Sequence, residues 1–236
     1  MVEVSGRESR SVPALHAVAW FGEAMRIWKR GPTTFAVLAF VTLFATIAFE
    51  TIPIAGFVAS NVIAPVLATA MLFASLAADR GDQPRLRHLI APFAAPTGAQ
   101  VIVIVAGLVP FAAEALSAWQ LADMNLLLPA RNADDVPMRV VMGIYAAGIV
   151  TSLPLTFVPF AALFDGCDLR AAFATSVRAF TRNVPALALY AGISFALLLV
   201  GLATMGVALV LVLPWLAAAS YAAWKDIFAL GETARE

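Results

Sequence analysis

Charge is scarce in this chain. Of its 236 residues only 13% are charged, against 62% that are hydrophobic, and the mean hydropathy is +0.89. A soluble domain of this length carries roughly a quarter of its residues as charges, so water alone does not suit this surface. The formal net charge is zero, which removes the basic field that nucleic acid would need, and no nucleic-acid partner is expected. A single cysteine, Cys167, excludes an internal disulfide and a cysteine-based metal cluster. The two histidines, His16 and His88, lack the companion ligands of a metal site and read as surface residues. No Ser-His-Asp order, His-Glu-x-x-His, phosphate loop or intramembrane Gly-Asp pair is visible, so no catalytic residue, cofactor or metal is assigned. Among the basic residues of the first thirty stand Glu3, Glu8 and Glu23, with no clean apolar core and cleavage site. The N-terminus is expected to be retained, with the first span as insertion signal.

What the chain has is apolar length. Six runs approach the 20 or so residues a helix needs to cross about 30 Å of hydrocarbon. They are Thr33–Thr51, Ile54–Ala78, Ala99–Trp119, Met138–Phe160, Val184–Leu202 and Met205–Trp224. Helices are the expected form, because a lipid-exposed backbone must satisfy its own hydrogen bonds, and the short alternating strands of a barrel are missing. Turns are expected at Pro53 and between Gly201 and Gly206. Trp28, Trp119, Trp215 and Trp224 fall near span ends, as interfacial anchors do.

The basic residues are segregated by position. Arg7, Arg10, Arg26, Lys29 and Arg30 precede the first run, and Arg80, Arg85 and Arg87 follow the second. Arg170, Arg178 and Arg182 follow the fourth, and Lys225 and Arg235 end the chain. Only Arg131 and Arg139 stand opposite these thirteen, flanking the loop Gln120–Pro137. The excess of positive charge on the cytoplasmic side then puts both termini in the cytoplasm of a bacterial inner-membrane protein. The Leu126-Leu127-Leu128 run suggests that the long outer loop lies on the membrane surface.

Three segments ahead of spans are amphipathic. Leu15, Val18, Phe21, Met25 and Trp28 recur at helical spacing opposite His16, Glu23, Arg26 and Arg30. Leu169, Phe173, Val177 and Phe180 do the same opposite Arg170, Arg178 and Arg182, and a shorter version runs through Leu86, Leu89 and Phe93. Such helices either lie in the interface or pack beneath the bundle. Together the pieces suggest three copies of one unit, an amphipathic helix followed by a transmembrane hairpin, all entering from the same side. Arg26-x-Trp28-x-Arg30 matches Arg178-x-Phe180-x-Arg182, and Pro65-Val66-Leu67-Ala68 matches Pro214-Trp215-Leu216-Ala217. Each inward-running span carries a proline and then an aspartate: Pro65 and Asp79, Pro154 and Asp165, Pro214 and Asp226. The expected fold is therefore all-α, a single polytopic membrane domain over residues 1–236.

Asp165-Gly166, Leu169-Arg170-Ala171-Ala172-Phe173, Ser176, Arg178 and Arg182-Asn183 resemble a segment of bacterial multi-pass proteins. These are related to the membrane domain found with some glycerophosphodiester phosphodiesterases. Asp79-Arg80-Gly81 and the closing run Ser220 to Phe228 narrow the resemblance to an uncharacterised proteobacterial six-helix inner-membrane family. It implies the six-span topology and brings no activity, since the phosphodiesterase domain itself is absent.

Candidate sites follow from polarity within spans. An ionised side chain at mid-bilayer costs about 2.5–3.5 kcal/mol on insertion scales, which singles out Glu50 and Glu114, with Asn61 nearby in the second span. They form either a shared outward-facing pocket for a cation or proton, or simply reach the outer interface, and their depth favours the interface. Arg26, Arg30, Arg170, Arg178 and Arg182 would form a basic collar for anionic head groups, or merely set topology. Pro65, Pro154 and Pro214, with Pro110 and Pro159, permit kinks that together would build a bent cavity. The expected function is non-enzymatic handling or transport of a lipid or small solute in the bilayer; an envelope scaffold is the alternative and an intramembrane enzyme the least favoured. Scattered small residues such as Gly143 and Gly148 leave an oligomer open. On this topology Cys167 faces the cytoplasm, so an impermeant maleimide should leave intact cells unlabelled, and ready labelling from outside would contradict the orientation.

Overall fold

The structure, a computed structural model, describes residues 8–52, 55–126 and 136–230. Those residues are helical with no strand among them. Pro53, Arg131, Leu127, Leu128, Arg7 and Arg235, which entered the sequence reading, lie outside the described residues. In chain order the helices are α1 His16–Trp28, α2 Pro32–Glu50, α3 Ala55–Ala68, α4 Ala70–Asp79 and α5 Thr97–Ala122. There follow α6 Met138–Ser152, α7 Val158–Leu163, α8 Leu169–Arg182, α9 Val184–Ala203 and α10 Leu209–Ile227.

Five segments are long and apolar enough to cross a membrane: Pro32–Phe49, Val58–Asp79, Thr97–Ala122, Met138–Leu155 and Val184–Ala203. They correspond to the first five apolar runs. Much of their surface is left uncovered by protein. Phe40, Phe44 and Ile47 of α2 are all more than half exposed, and only 6% of the Met138–Leu155 segment is buried. A helix apolar all round and this uncovered needs an apolar solvent, as in a membrane protein. The sixth run forms α10, which starts later than its run and continues to Ile227. Nine of its nineteen residues are buried, among them Pro214, Ala218, Ala219, Tyr221, Ala222, Ala223, Trp224 and Ile227, a share like that of Val58–Asp79 at 50%.

Two expected spans are interrupted. Pro65, which has no N–H to give the carbonyl of Asn61, lies inside α3, and the helix runs on to Ala68 before a one-residue interruption at Thr69 ahead of α4. There the Thr69 hydroxyl donates to the Val66 carbonyl at 2.6 Å. The run 138–160 ends as α at Ser152, tightens into a 3₁₀ turn at Leu153–Leu155 around Pro154, and resumes as α7 with Pro159 in its first turn. The polar groups freed at this break are met by α8. Ser176 Oγ donates to the Pro154 carbonyl at 2.7 Å and accepts from the Phe157 N–H at 3.0 Å. At Pro214, by contrast, α10 runs on unbroken.

The helices associate cyclically. The 86–94 segment packs on α4, α8 on α7 and α1 on α10, while α5 packs on α3, α9 on α6 and α2 on α10. The last pair in each series joins the two ends of the chain. One core lies under α1 and α10, where Phe160 stacks on Trp224 at 5.2 Å and Phe157 meets Phe228 edge-on at 5.7 Å. A smaller core of Ile102, Ala106, Val158, Ala162 and Ala172 joins α5, α7 and α8.

The amphipathic segments pack in different ways. In α1 the buried stripe is Ala17, Trp20, Phe21, Ala24 and Ile27, and Leu15 and Val18 of the large apolar stripe stay exposed, as an interface-lying helix would present them. In α8 the buried face is Ala172, Thr175, Ser176 and Ala179; small side chains, not Leu169 or Val177, let it approach α7 closely. The segment before α5 is two 3₁₀ turns, Leu86–Leu89 and Ala91–Ala94, and the buried Pro92 opens the second of them. Cys167 is also buried, so its failure to label would not by itself report topology.

Residues 8–13 strap this end of the bundle together through Asn183, which is fully buried between α8 and α9. Its Nδ2 donates to the carbonyls of Arg10 and Ala179, both at 2.9 Å, and its Oδ1 accepts from the Val12 N–H at 2.8 Å. Replacing it leaves buried backbone groups unpaired, each worth about 1–3 kcal/mol. Asn183→Ala is expected to lower the unfolding free energy in mild detergent by about 3 kcal/mol, read from denaturant titration of tryptophan fluorescence. A loss below about 0.5 kcal/mol would mean the strap is not held as described.

Candidate functional site

Two features stand out when the polar groups are followed through the packing: a charged seam between the chain ends, and a cavity lined by prolines.

The seam is built by two aspartates at helix ends. Asp226, on α10, accepts from Arg10 Nη2 at 2.8 Å and Trp20 Nε1 at 2.8 Å, and its Oδ2 lies 2.7 Å from His16 Nδ1. Arg10 also donates from Nε to the Asp226 carbonyl and from its backbone N–H to the Ile227 carbonyl, both at 2.8 Å. Asp79, closing α4, accepts from Lys225 Nζ at 2.7 Å, Arg26 Nη2 at 2.9 Å and the Tyr221 hydroxyl at 3.0 Å. Arg26 additionally pairs with Glu23. The two aspartates therefore clamp α1 between α4 and α10. Their side chains are only 13% and 19% exposed, which explains why each needs several donors.

The proline-lined cavity has a volume of about 350 Å³. Its walls are Pro65 of α3, Ala106, Gly107 and Pro110 of α5, the α6–α7 break from Ile149 to Pro159, Tyr190 and Ser194 of α9, and Leu216 of α10. Gly107 lets α3 approach, because a Cβ there would stand 2.7 Å from Pro65 Cγ. Of the three expected kinks, Pro65 lines the cavity directly. Pro154 shapes it through Leu153, Leu155 and Thr156, and Pro214 contributes only its neighbour Leu216.

The other expected residues are separated. Glu114 lines a second cavity, of about 270 Å³, with Met124, Val141 and Tyr145, and its carboxylate lies across Gly148 of α6, where any Cβ would collide with it. Gly148 is thus occupied within the chain and is not a free packing surface. Asn61 is not among the residues lining either cavity, and the side chain of Glu50 is outside the described residues. The five arginines also divide. Arg26 pairs with Asp79, Arg30 donates to the Ala78 carbonyl at 2.8 Å, and Arg182 donates to the Ser9 carbonyl at 2.7 Å. Arg170 and Arg178 are exposed on α8 and make no ion pair among the described residues.

The repeated proline-then-aspartate spacing marks Asp79 and Asp226 in the sequence but not their partners, and His16, half-exposed at the surface, is a partner of Asp226. No family model, curated protein or solved structure matches the chain.

Burial alone would raise the Asp226 carboxyl, but hydrogen bonds from His16, Trp20 and Arg10 outweigh it and hold it below its ordinary value of 3.8. A carboxyl lowered by folding stabilises the fold above its ordinary pKa, and that contribution disappears as pH falls through the folded value. Acidification to below about pH 4 should therefore loosen α1 from α10, read as a change in tryptophan emission as Trp20 loses its acceptor. Asp226→Asn should remove this acid transition and lower stability at neutral pH. An unchanged acid transition in that variant would assign it to other groups.

Proposed function

We propose that this chain is a six-span bacterial inner-membrane protein, with both termini cytoplasmic, that binds a lipid or small solute without covalent chemistry. The carrying observation is the cavity where the proline-bent α3, the α6–α7 break and helices α5 and α9 converge. Discontinuous helices are how membrane proteins open backbone and side chains to a ligand within the bilayer.

The sixth crossing is assigned to α10. With the turn from Met205 before it, its apolar run to Trp224 has the roughly 20 residues a crossing needs, and Lys225 and Asp226 stand past the inner end of that run. The Arg10–Ile227 and Arg10–Asp226 contacts also support it, because an odd number of crossings would put the two ends on opposite sides. In this reading the cyclic packing is that of three parallel hairpins, each entered by its own interfacial segment. The thirteen-to-two distribution of Lys and Arg supports the orientation. Membership of the uncharacterised six-helix inner-membrane family belongs to the same proposal, carried by the residues from Asp165 to Asn183 and from Ser220 to Phe228.

The exposed Arg170 and Arg178, flanked by exposed Leu169 and Val177, suit the anionic side of an inner leaflet, at about 1 kcal/mol for each charge. Arg26, Arg30 and Arg182 act within the fold instead.

Native mass spectrometry after mild-detergent extraction tests the proposal. A reproducible adduct of lipid or metabolite mass is expected on the wild type. Gly107→Leu, which adds bulk beside Pro65 at the cavity wall, should lose it, whereas Arg170→Ala with Arg178→Ala should weaken retention of anionic lipid only. A stoichiometric protein partner with no small-molecule adduct would favour the scaffold alternative.

A further inference from the structure

We infer that the proline-lined cavity takes an alkyl chain bearing one uncharged oxygen group, an alcohol or an ester, and that Ser194 supplies the hydrogen bond that fixes it. This rests on the reading of that cavity as the binding site and names the chemical class it admits.

The class follows from what the wall contains. Among the described residues no carboxylate, amine, guanidinium or imidazole lines the cavity. An ionised ligand would therefore be buried there without a counter-charge, which is strongly unfavourable. Apolar walls alone would admit any hydrocarbon, so selectivity depends on the hydroxyls. Most of these are already engaged. Ser152 donates to the Ile149 carbonyl at 2.8 Å, Thr156 to the Leu153 carbonyl at 2.9 Å, and the Tyr190 phenol reaches the Leu216 carbonyl at 3.4 Å.

Ser194 is the exception. It lines the cavity and is 7% exposed, yet its hydroxyl has no partner at good hydrogen-bonding distance and angle, the neighbouring Tyr190 phenol being a weak, off-geometry hydrogen-bond contact. Elsewhere in these helices a buried or half-buried hydroxyl donates back to the carbonyl four residues earlier, as Thr42 does to Leu38, Ser75 to Met71 and Thr151 to Ala147. Ser194 does not make that bond to Tyr190. A buried hydroxyl left unpaired is costly, and a ligand oxygen beside it removes the cost. The alkyl remainder would lie along Val103, Ala106, Ala191 and Leu198.

The test uses the full-length protein in lipid vesicles doped with photoreactive diazirine probes of equal chain length: an alcohol, an alkane, a carboxylate and a trimethylammonium. Labelled residues are located by peptide mass spectrometry. The alcohol is expected to label α5 and α9 around the cavity, and the two charged probes are not. Ser194→Ala should reduce alcohol labelling roughly five-fold while leaving alkane labelling unchanged, as loss of one hydrogen bond requires. Ala191→Phe, which fills the space, should abolish both. Leu198→Trp fills the same space and replaces Ala191→Phe should that variant have no cooperative melting transition.

The failures are distinguishable. Equal loss or no loss of alcohol and alkane labelling in Ser194→Ala overturns the hydrogen bond and leaves the cavity as a site. Carboxylate or ammonium labelling as strong as the alcohol overturns the uncharged class. Labelling that survives a folded cavity-filling variant overturns the cavity as the binding site, and the proposed function with it.

Discussion

Two carboxylates, Asp79 and Asp226, carry the closure of this fold. Each stands at the last turn of a helix that runs to the same end of the bundle, and each is mostly buried. A lone carboxylate in such a place is unfavourable by several kcal/mol unless donors surround it. The donors come from opposite ends of the sequence: Arg10 of the strap with His16, Trp20 and Arg26 of α1, and Tyr221 and Lys225 of α10. Satisfying the aspartates therefore requires α1 to lie across α4 and α10. With α1 seated there, Trp20, Phe21 and Ile27 cover the aromatic core, Trp215 Nε1 donates to the Phe21 carbonyl at 3.0 Å, and the first and last helical units become neighbours.

The same demand for satisfied polar groups explains how the helices can break without unravelling. Pro154 frees backbone groups where no water is at hand, and Ser176 takes up two of them from α8. Thr69 performs the local equivalent after Pro65. Breaks so supported leave room between helices, and that room is the 350 Å³ cavity. Closure at one end and space in the middle are thus two results of one rule. Ser9, Trp28 and Ser194 each leave a buried polar atom short of a partner, and of these Ser194 is the one that lines the cavity.

Much of the fold was legible along the chain because length and apolarity are one-dimensional properties. Five of six runs became helical segments long and apolar enough to cross a membrane, and a proline stands within or shortly before each interruption. What was not legible is rotation about a helix axis. α1 carries two apolar stripes, and the one that packs contains Ala17 and Ala24, which a search for large side chains passes over. α8 packs through alanines, Thr175 and Ser176 for the same reason, since close approach rewards small residues. Depth in the membrane favoured the outer interface for Glu50 and Glu114 over a pocket shared with Asn61, but depth does not say which way a side chain faces, and Glu114 turns to α6. The aspartates were visible as a repeat. Their partners were not, because Arg10 and Asp226 are more than two hundred residues apart.

The central claim is that α10 crosses the bilayer and returns the chain to the side where it began. Paired single-cysteine variants in a Cys167→Ala background test it most directly, with an impermeant maleimide applied to cells with a permeabilised outer membrane. Val207→Cys sits in the exposed turn before α10, and Glu236→Cys ends the chain. The account predicts that Val207→Cys labels from outside and Glu236→Cys only after the inner membrane is opened. Labelling of both from outside would contradict it, leaving α10 uncrossed and the ring of hairpins open.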